Sequence, residues 1–374
     1  MPRALRPLAQ QLSKPRFATP RELVAWMGAM QAQDFNMAKW AVGIRLPSAT
    51  RQQIEDALDR GDILRTHVMR PTWHFVAPED IRWMLRLSAG RVRAANDSFG
   101  KSLGITEAAY NRSNALLEKT LAGNRSLTKQ ELAAVFSKKR LPADAPCLNR
   151  FLQRAETEGI VCSGKTKAGK TTYALLEERV PPAREPGREE SLARLAAKYF
   201  QSHSPASLQD FAWWSGLAAR DAAKAVDFIK RDLIADKYKD ACLLLHQSLG
   251  NTVAAQDDNV HFLPAYDEYL ISYKDRSAVL PRSHYSKAFS NNGLFYPVIM
   301  HRGKIVGNWK RPSKTQKIET SFFEKIKIPK EKLEEAGRRF WACGNSSLSL
   351  SPNPPASEPF NLRGPLKKGN LNRR

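Results

Sequence analysis

Apolar residues recur with a helical period along much of the chain, and three of the short helices that they predict begin alike. A Thr or Ser in the capping position is followed three residues later by an acidic residue, which favours the first turn of a helix. The pairs are Thr19 with Glu22, Thr128 with Glu131, and Ser207 with Asp210. Further helices flank each of these, so the pattern indicates three helical units.

The second unit is the clearest, because strand patterns follow its helices. A helix over about 106–121 precedes the helix capped by Thr128, and a third helix, APCLNRFLQRAETEG, closes at Gly159. IVCSGK and TTYALL then have the pattern of two short strands around a Lys-rich turn. Three helices and a β-hairpin predict a winged helix.

The same order of elements predicts a winged-helix unit on either side. In the first, the helix capped by Thr19 and a helix that ends at Gly61 precede a hairpin of LRTHVM and TWHFV, which turns near Pro71. The third runs from about Glu189 through LAARDAAKAVDFIKR to CLLLH. The chain is thus predicted to repeat one small fold.

Beyond about residue 255 the pattern changes to strands, in HFLPAYDEYLISYKDR and LFYPVIMHRGKIVGNWKR. We therefore predict an α+β protein of tandem winged helix-turn-helix units, about three in number, with a small β-rich C-terminal domain. A length of 374 residues accommodates this division. The expected boundaries are 1–100, 101–185, 186–254 and 255–343, followed by 344–374, which has the composition of a disordered basic tail.

The charge of the chain favours an anionic polymer as its partner. Lys and Arg number 60 against 37 Asp and Glu, which gives a net charge of +23. The segment from Gly344 onward has five basic residues and one acidic, so +19 remains on the preceding body. Tandem winged helices with such a charge point to duplex DNA, because each unit can place a helix in a groove and a wing on the backbone.

Other classes of protein are disfavoured by the sequence. The cysteines lie far apart without a C-x-x-C pair, so neither a disulfide framework nor a zinc site is indicated; they are Cys147, Cys162, Cys242 and Cys343. No apolar run approaches the roughly 18 residues of a membrane span, and no export signal is recognisable. We expect a cytoplasmic, nucleoid-associated protein without metal, membrane or cofactor.

GKTKAGKTT imitates a nucleotide-binding loop, since Gly164 to Thr171 fit G-x-x-x-x-G-K-[ST]. Such a loop must lead from a strand directly into a helix, whereas the residues after Lys170 have the composition of a strand. The better interpretation is a basic wing without a bound nucleotide. Its lysines, Lys165, Lys167 and Lys170, are expected to contact DNA phosphates.

The segment MQAQDFNMAKW holds the candidate catalytic residues. A helix that ends near Met30 would project Gln31 and Gln33 together from its exit, although two ordinary solvated glutamines are the alternative. Asp34 is the rival catalyst, because a carboxylate can deprotonate water. In an extended segment its side chain would point away from the glutamines, and capping the helix near Asn36 is then its alternative role.

Three stretches together resemble the winged-helix DNA glycosylases of the AlkZ type, also called YcaQ-like. They are LVAWMGAMQAQDFNMAKWAVGIR, RTHVMRPTWHFVAPEDI and LPAYDEYLISYKDRS. The likeness extends to about residue 343, and its most specific part is the Gln-apolar-Gln motif, matched by Gln31, Ala32 and Gln33. A sister branch has Asp at the third position, so Gln33 places the chain nearer the AlkZ side. The resemblance implies a concave basic surface and removal of alkylated bases without metal or cofactor.

Two neutral amides suit a substrate whose leaving group is already charged. A purine alkylated at N7 or N3 is cationic and leaves without protonation, so carbonyl oxygens that orient water and face the developing positive charge suffice. The resemblance thus predicts a monomeric, monofunctional DNA glycosylase acting on cationic alkylpurines in duplex DNA, including bulky adducts and interstrand crosslinks. A non-catalytic winged-helix regulator is the alternative.

Two further blocks of the resemblance contain polar residues. Arg70 and His74 lie in MRPTWHFV, where His74 is either a structural histidine or a phosphate or lesion contact. DEYLISYKDR supplies charged residues that we interpret as ion-paired scaffold without a catalytic role; they are Asp267, Glu268, Asp275 and Arg276.

VIMHRGKIVGNWKR predicts a hairpin whose turn, at His301, Arg302 and Gly303, uses the freedom of glycine. The basic residues on it are candidate DNA contacts in a minor groove or around a lesion: His301, Arg302, Lys304, Lys310 and Arg311. A surface hairpin with solvated charges is the alternative.

Overall fold

Helices joined by small antiparallel sheets form the described part of the chain, which confirms the predicted α+β class. The computed structural model describes residues 2–238, 241–249, 257–311 and 317–344. Apart from Gly344, the predicted disordered tail lies outside these residues. The number of winged-helix units and the domain boundaries stay predictions.

The first region places one sheet among its helices. Its elements are α1 (Pro2–Ala9), α2 (Pro20–Met27), β1 (Ala29–Gln31), α3 (Phe35–Gly43), α4 (Arg51–Arg60), β2 (Leu64–His67), β3 (Trp73–Val76) and α5 (Pro78–Ser102). Thr19 and Glu22 form a capping box at the start of α2, and Gly61 ends α4 in the left-handed conformation. β3 lies between β1 and β2 and runs antiparallel to both.

The expected helix through Met30 is wrong, because α2 ends at Met27. Gly28 takes a φ of 76°, which glycine adopts readily and which stops the helix. Residues 29–31 then pair with β3, and Gln31 lies opposite His74. The two glutamines therefore follow a strand and not a helix.

The second region has the predicted order of helices and hairpin. Its elements are α6 (Glu107–Leu121), β4 (Leu127–Thr128), α7 (Lys129–Lys138), α8 (Ala145–Thr157), β5 (Val161–Ser163), β6 (Thr172–Leu175) and α9 (Leu176–Arg179). Lys167 and Lys170 exchange backbone hydrogen bonds of 3.1 and 2.9 Å across a two-residue turn. Lys170 leads into β6, so the strand-to-helix geometry of a nucleotide-binding loop is absent from this segment.

The third region repeats this order of helices and strands. Its elements are α10 (Arg188–His203), α11 (Leu208–Ser215), α12 (Ala219–Phe228), β7 (Leu233–Tyr238) and β8 (Ala241–His246). Ser207 and Asp210 form a capping box at the start of α11. The shared capping pattern thus marks the corresponding helix in all three regions.

The C-terminal region carries a sheet in the order β12–β11–β10–β9. Its elements are β9 (Val260–Leu263), α13 (Glu268–Ile271), α14 (Tyr285–Ala288), β10 (Val298–His301), β11 (Lys304–Lys310), β12 (Glu319–Phe322) and α15 (Lys330–Gly344). The strand expected through DEYLISYKDR is wrong. Asp267 instead accepts a hydrogen bond from the backbone of Tyr269 and caps the short helix α13.

The first and C-terminal regions share one hydrophobic core. Trp40 of α3 and Phe75 of β3 belong to the same buried cluster as Phe262, Trp309 and Phe340. The indole N–H of Trp40 also donates to the carbonyl oxygen of Phe262 at 2.7 Å. A second core joins the other face of the first region to α10 and α11. The sheet that carries Gln31 is therefore enclosed from both sides.

Candidate active site

Gln31 is held at the end of β1 by a buried carboxylate. The residue is only 5% exposed, and its backbone N–H donates to Glu268 Oε1 at 2.6 Å. Its side-chain oxygen in turn accepts the backbone N–H of Gln33 at 2.8 Å. The first glutamine side chain thus folds onto the backbone of the second, which brings the two predicted catalytic residues together.

Ala32, between the glutamines, has both of its backbone polar groups bound. Its N–H donates to the carbonyl oxygen of Trp73 at 2.7 Å, and its carbonyl oxygen accepts from Arg65 Nε at 3.0 Å. The Arg65 guanidinium also lies 4.2 Å from the centre of the Trp73 ring, within the range of a cation–π contact. The backbone between the two glutamines is therefore held by hydrogen bonds from both of its polar groups.

Gln33 offers a buried side-chain acceptor, Oε1, that has no partner among the described residues. A buried amide oxygen without a partner costs free energy unless a ligand or water satisfies it. The geometry thus leaves a carbonyl oxygen available to accept a hydrogen bond from a water molecule.

Asp34 caps α3, which is the alternative role expected for it. Its Oδ1 accepts the backbone N–H groups of Asn36 and Met37, each at 3.0 Å. These bonds orient the carboxylate toward the first turn of the helix. Gln31, in contrast, pairs with β3 and accepts the backbone N–H of Gln33.

His74 is a buried, neutral histidine. Its Nδ1–H donates to the carbonyl oxygen of Thr72 at 2.9 Å, and its Nε2 faces Arg70 Nη2 at 3.4 Å, which assigns the tautomer. Burial, and then the neighbouring charge of Arg70, lower the pKa of His74 from 6.5 to about 3. Because the ring is fully buried and uncharged, the geometry favours the structural histidine.

Glu268 was interpreted from the sequence as ion-paired scaffold, and its contact with Gln31 was not expected. It is 1% exposed, accepts the Gln31 N–H and the Ser272 hydroxyl, and faces His203 Nε2 at 3.6 Å. Burial alone would raise the pKa of Glu268, but hydrogen bonds from His203, Ser272 and the Gln31 backbone lower it to about 2. The sequence signal for a role of Glu268 was its position in LPAYDEYLISYKDRS, one of the three stretches that resemble the family. Its contact with Gln31 could not be predicted, because the two residues are 237 positions apart in the chain.

Comparisons with known proteins identify the family of the chain. A family model described as DNA glycosylase AlkZ-like matches residues 24–342. The chain belongs to the AlkZ-like DNA glycosylase family. This confirms the predicted family and the prediction of an enzyme that cleaves N-glycosyl bonds.

One curated relative of this AlkZ-like glycosylase is the interstrand DNA cross-link repair glycosylase of Streptomyces sahachiroi. It is 22% identical over 368 residues, which cover 92% of this chain and 96% of the relative. The solved structure of the DNA glycosylase AlkZ from the same organism superposes with a TM-score of 0.75 at 19% identity. That match covers 91% of this chain and 95% of the other. The two chains therefore share their fold over nearly their whole length.

The second wing of the AlkZ-like chain is tied to the first region at its base and open at its tip. Ser163 Oγ accepts the backbone N–H of Arg65 at 2.9 Å, and the Thr166 N–H donates to Asp59 at 2.8 Å. Lys165 and Lys170 are exposed, whereas Lys167 forms an ion pair of 3.0 Å with Glu131. The wing thus displays positive charge beside the strand that supports the glutamines, and its DNA contacts stay a prediction.

The turn between β10 and β11 is less accessible than its sequence suggests. His301 is 7% exposed, and Arg302 forms an ion pair of 2.5 Å with Asp258. Gly303 packs so closely on the backbone of Arg3 that a Cβ atom there would collide with it. Among the residues expected here to contact DNA, Arg302 and Lys304 are exposed at the turn.

The two remaining basic candidates lie at the end of β11. Lys310 forms an ion pair of 2.9 Å with Glu319, and the Arg311 guanidinium lies 4.8 Å from the ring centre of Trp341. Both arrangements satisfy part of the charge within the protein. Contact of this hairpin with DNA stays a prediction.

Within the described ranges, no helix is both long and apolar enough to cross a bilayer. The same residues contain no group of three or more His, Cys, Asp or Glu side chains arranged to hold a metal ion.

Proposed function

We propose that this protein is a monofunctional DNA glycosylase that hydrolyses the N-glycosidic bond of cationic N7- or N3-alkylated purines in duplex DNA. The observation that carries the proposal is the hydrogen-bonded glutamine pair with an unpartnered carbonyl oxygen on Gln33. A pair of amides is a weak acid–base system, so it suits a base that already carries its positive charge.

The reaction needs orientation and electrostatic stabilisation more than proton transfer. Gln33 Oε1 accepts a hydrogen bond from water and directs the water oxygen to the anomeric carbon of the sugar. The new C–O bond forms as the C–N bond breaks, and the bonding electron pair neutralises the departing cationic base. The water loses its proton to solvent, and the amide dipoles stabilise the positive charge that develops on the sugar.

Bulky adducts and interstrand crosslinks fall within the proposed substrate range. The described part of the chain displays its catalytic segment beside a basic wing, and the whole chain has a net charge of +23. The Streptomyces sahachiroi relative is named for the repair of interstrand crosslinks. A surface that need not enclose the base can release large adducts, whereas a tight pocket for a flipped base excludes them.

A strand-cleavage assay tests this function. A duplex with one 7-methylguanine is incubated with the protein and then heated in mild alkali, which breaks the strand at abasic sites. We expect breaks at the lesion above a control without protein and none in the undamaged duplex. Absence of breaks, together with tight binding to one undamaged sequence, would instead identify a winged-helix regulator.

A further inference from the structure

Glu268 is placed directly behind the glutamine pair. Its Oε1 receives the Gln31 backbone N–H at 2.6 Å, and its Oε2 receives the Ser272 hydroxyl. The side chain is 1% exposed, so it does not itself meet DNA. Any effect of Glu268 on the reaction must therefore act through Gln31 or through its charge.

The donors that surround Glu268 indicate that the carboxylate is ionised. The Ser202 hydroxyl donates to the carbonyl oxygen of Lys198 at 2.6 Å, so it accepts from His203 Nδ1–H at 2.7 Å. The other ring nitrogen, Nε2, faces Glu268 Oε2 at 3.6 Å and has no hydrogen-bond partner among the described residues, and burial lowers the pKa of His203, so at neutral pH the ring does not cancel the charge of the carboxylate. Gln31 and Ser272 thus both direct donors at one carboxylate.

Glu268 interacts electrostatically with residues of the MRPTWHFV segment. Arg70 and His74 both interact with its charge, and His74 lies opposite Gln31 in the sheet. Because the group is almost completely buried, water screens its field weakly. A negative charge in this position favours positive charge on a sugar held at the glutamines.

We propose that Glu268 is a positioning residue for base excision, which fixes Gln31 through its backbone and supplies a buried negative charge that stabilises the cationic transition state. This inference rests on the proposed glycosylase function. It assigns the reaction a fixed counter-charge that the two neutral amides lack.

Asp267 provides a matched control beside Glu268. It is also buried, but it forms a two-pronged ion pair with Arg45 at 2.8 and 2.9 Å and has no contact with Gln31 among the described residues. Removal of its charge disturbs the core to a similar degree, because a buried arginine loses its partner. Asp267→Asn therefore reports the effect of a damaged scaffold around α13, with the charge of Glu268 retained.

The test measures single-turnover excision of 7-methylguanine and the affinity for two abasic duplexes. One duplex carries a neutral tetrahydrofuran residue, and the other carries a cationic pyrrolidine residue that mimics the charged sugar. For Glu268→Gln we expect excision at least tenfold slower and a similar loss of affinity for the cationic duplex. Affinity for the neutral duplex should stay within about twofold, and for Asp267→Asn both affinities should change together.

If Glu268→Gln binds the cationic and the neutral duplex with the same ratio of affinities as the wild type, the proposed counter-charge role is wrong. Glu268→Asp tests the positioning role, because it keeps the negative charge but moves the carboxylate away from the Gln31 N–H. The same variant replaces Glu268→Gln in the experiment if Glu268→Gln does not fold. We expect excision at least tenfold slower, and a wild-type rate would overturn the positioning role. If the wild-type protein excises nothing, the proposed function fails first, and this inference fails with it.

Discussion

The glutamine segment and the second wing lie next to each other, but their polar groups differ in accessibility. The backbone groups of the glutamine segment are bound within the protein, whereas the lysines of the wing are exposed. Around Gln31 and Gln33, backbone donors and acceptors are bound by buried partners such as Glu268 and Arg65. At the wing tip, Lys165 and Lys170 extend into solvent from a two-residue turn. The first arrangement suits a step that needs fixed geometry, and the second suits adaptable contact with phosphates.

Substitution of the glutamines should separate rate from binding most clearly. We expect Gln31→Ala and Gln33→Ala each to lower single-turnover excision by more than about tenfold and to leave DNA affinity within about twofold, because the amides act on the transition state. Gln52, on the outer face of α4 and bonded to Asp56, gives a matched glutamine control. If Asp34→Asn is the more damaging change, the amide mechanism is wrong.

The buried segment should also make stability depend on pH through His74. Burial lowers the pKa of His74 from 6.5 to about 3. Below about pH 6.5 the unfolded chain therefore binds a proton at His74, whereas the folded chain does not. The free energy of unfolding should therefore fall as pH drops, by about 1 kcal/mol from this group between pH 7.5 and 5.5. Urea titrations at both pH values measure this.

His74→Gln is the control for that experiment, since glutamine does not titrate. Its stability should decline less over the same interval than that of the wild type. An equal decline in both proteins would mean that His74 does not carry the pH dependence.

Substitutions in the second wing should have the smallest effect. We expect them to change DNA affinity and to leave the excision rate unchanged. We expect Lys170→Ala to reduce the slope of log affinity against log salt by about one unit and to leave the single-turnover rate at saturation unchanged. Arg302→Ala, at the other basic turn, should leave the slope unchanged, because Asp258 already takes its charge. Fluorescence anisotropy over a salt series measures both.

If Lys170→Ala and Arg302→Ala both reduce the salt slope by about one unit, both turns contact DNA. Excision should proceed without ATP, and ATP-stimulated turnover or nucleotide binding lost in Lys170→Ala would restore the nucleotide-loop interpretation of GKTKAGKTT.

Local features of the site could be predicted from the sequence, whereas long-range contacts could not. Thr19 and Asp34 begin helices for reasons contained within four residues of chain, and the glutamine motif is recognisable by its spacing. β1 was missed because three residues carry too little pattern and its partner β3 lies more than 40 residues later. The burial of Gly303 in the β10–β11 turn depends on Arg3, which no local rule connects to it.

The shared core of the first and C-terminal regions also orders events during synthesis. The ribosome releases the glutamines early, but the carboxylate that holds Gln31 follows 237 residues later, and Phe340 of α15 later still. A nascent chain therefore lacks this anchor of Gln31 until residue 268 has been synthesised. We expect a chain truncated before residue 268 to hold the glutamines less firmly, because it has the second wing but lacks the carboxylate that binds the Gln31 backbone.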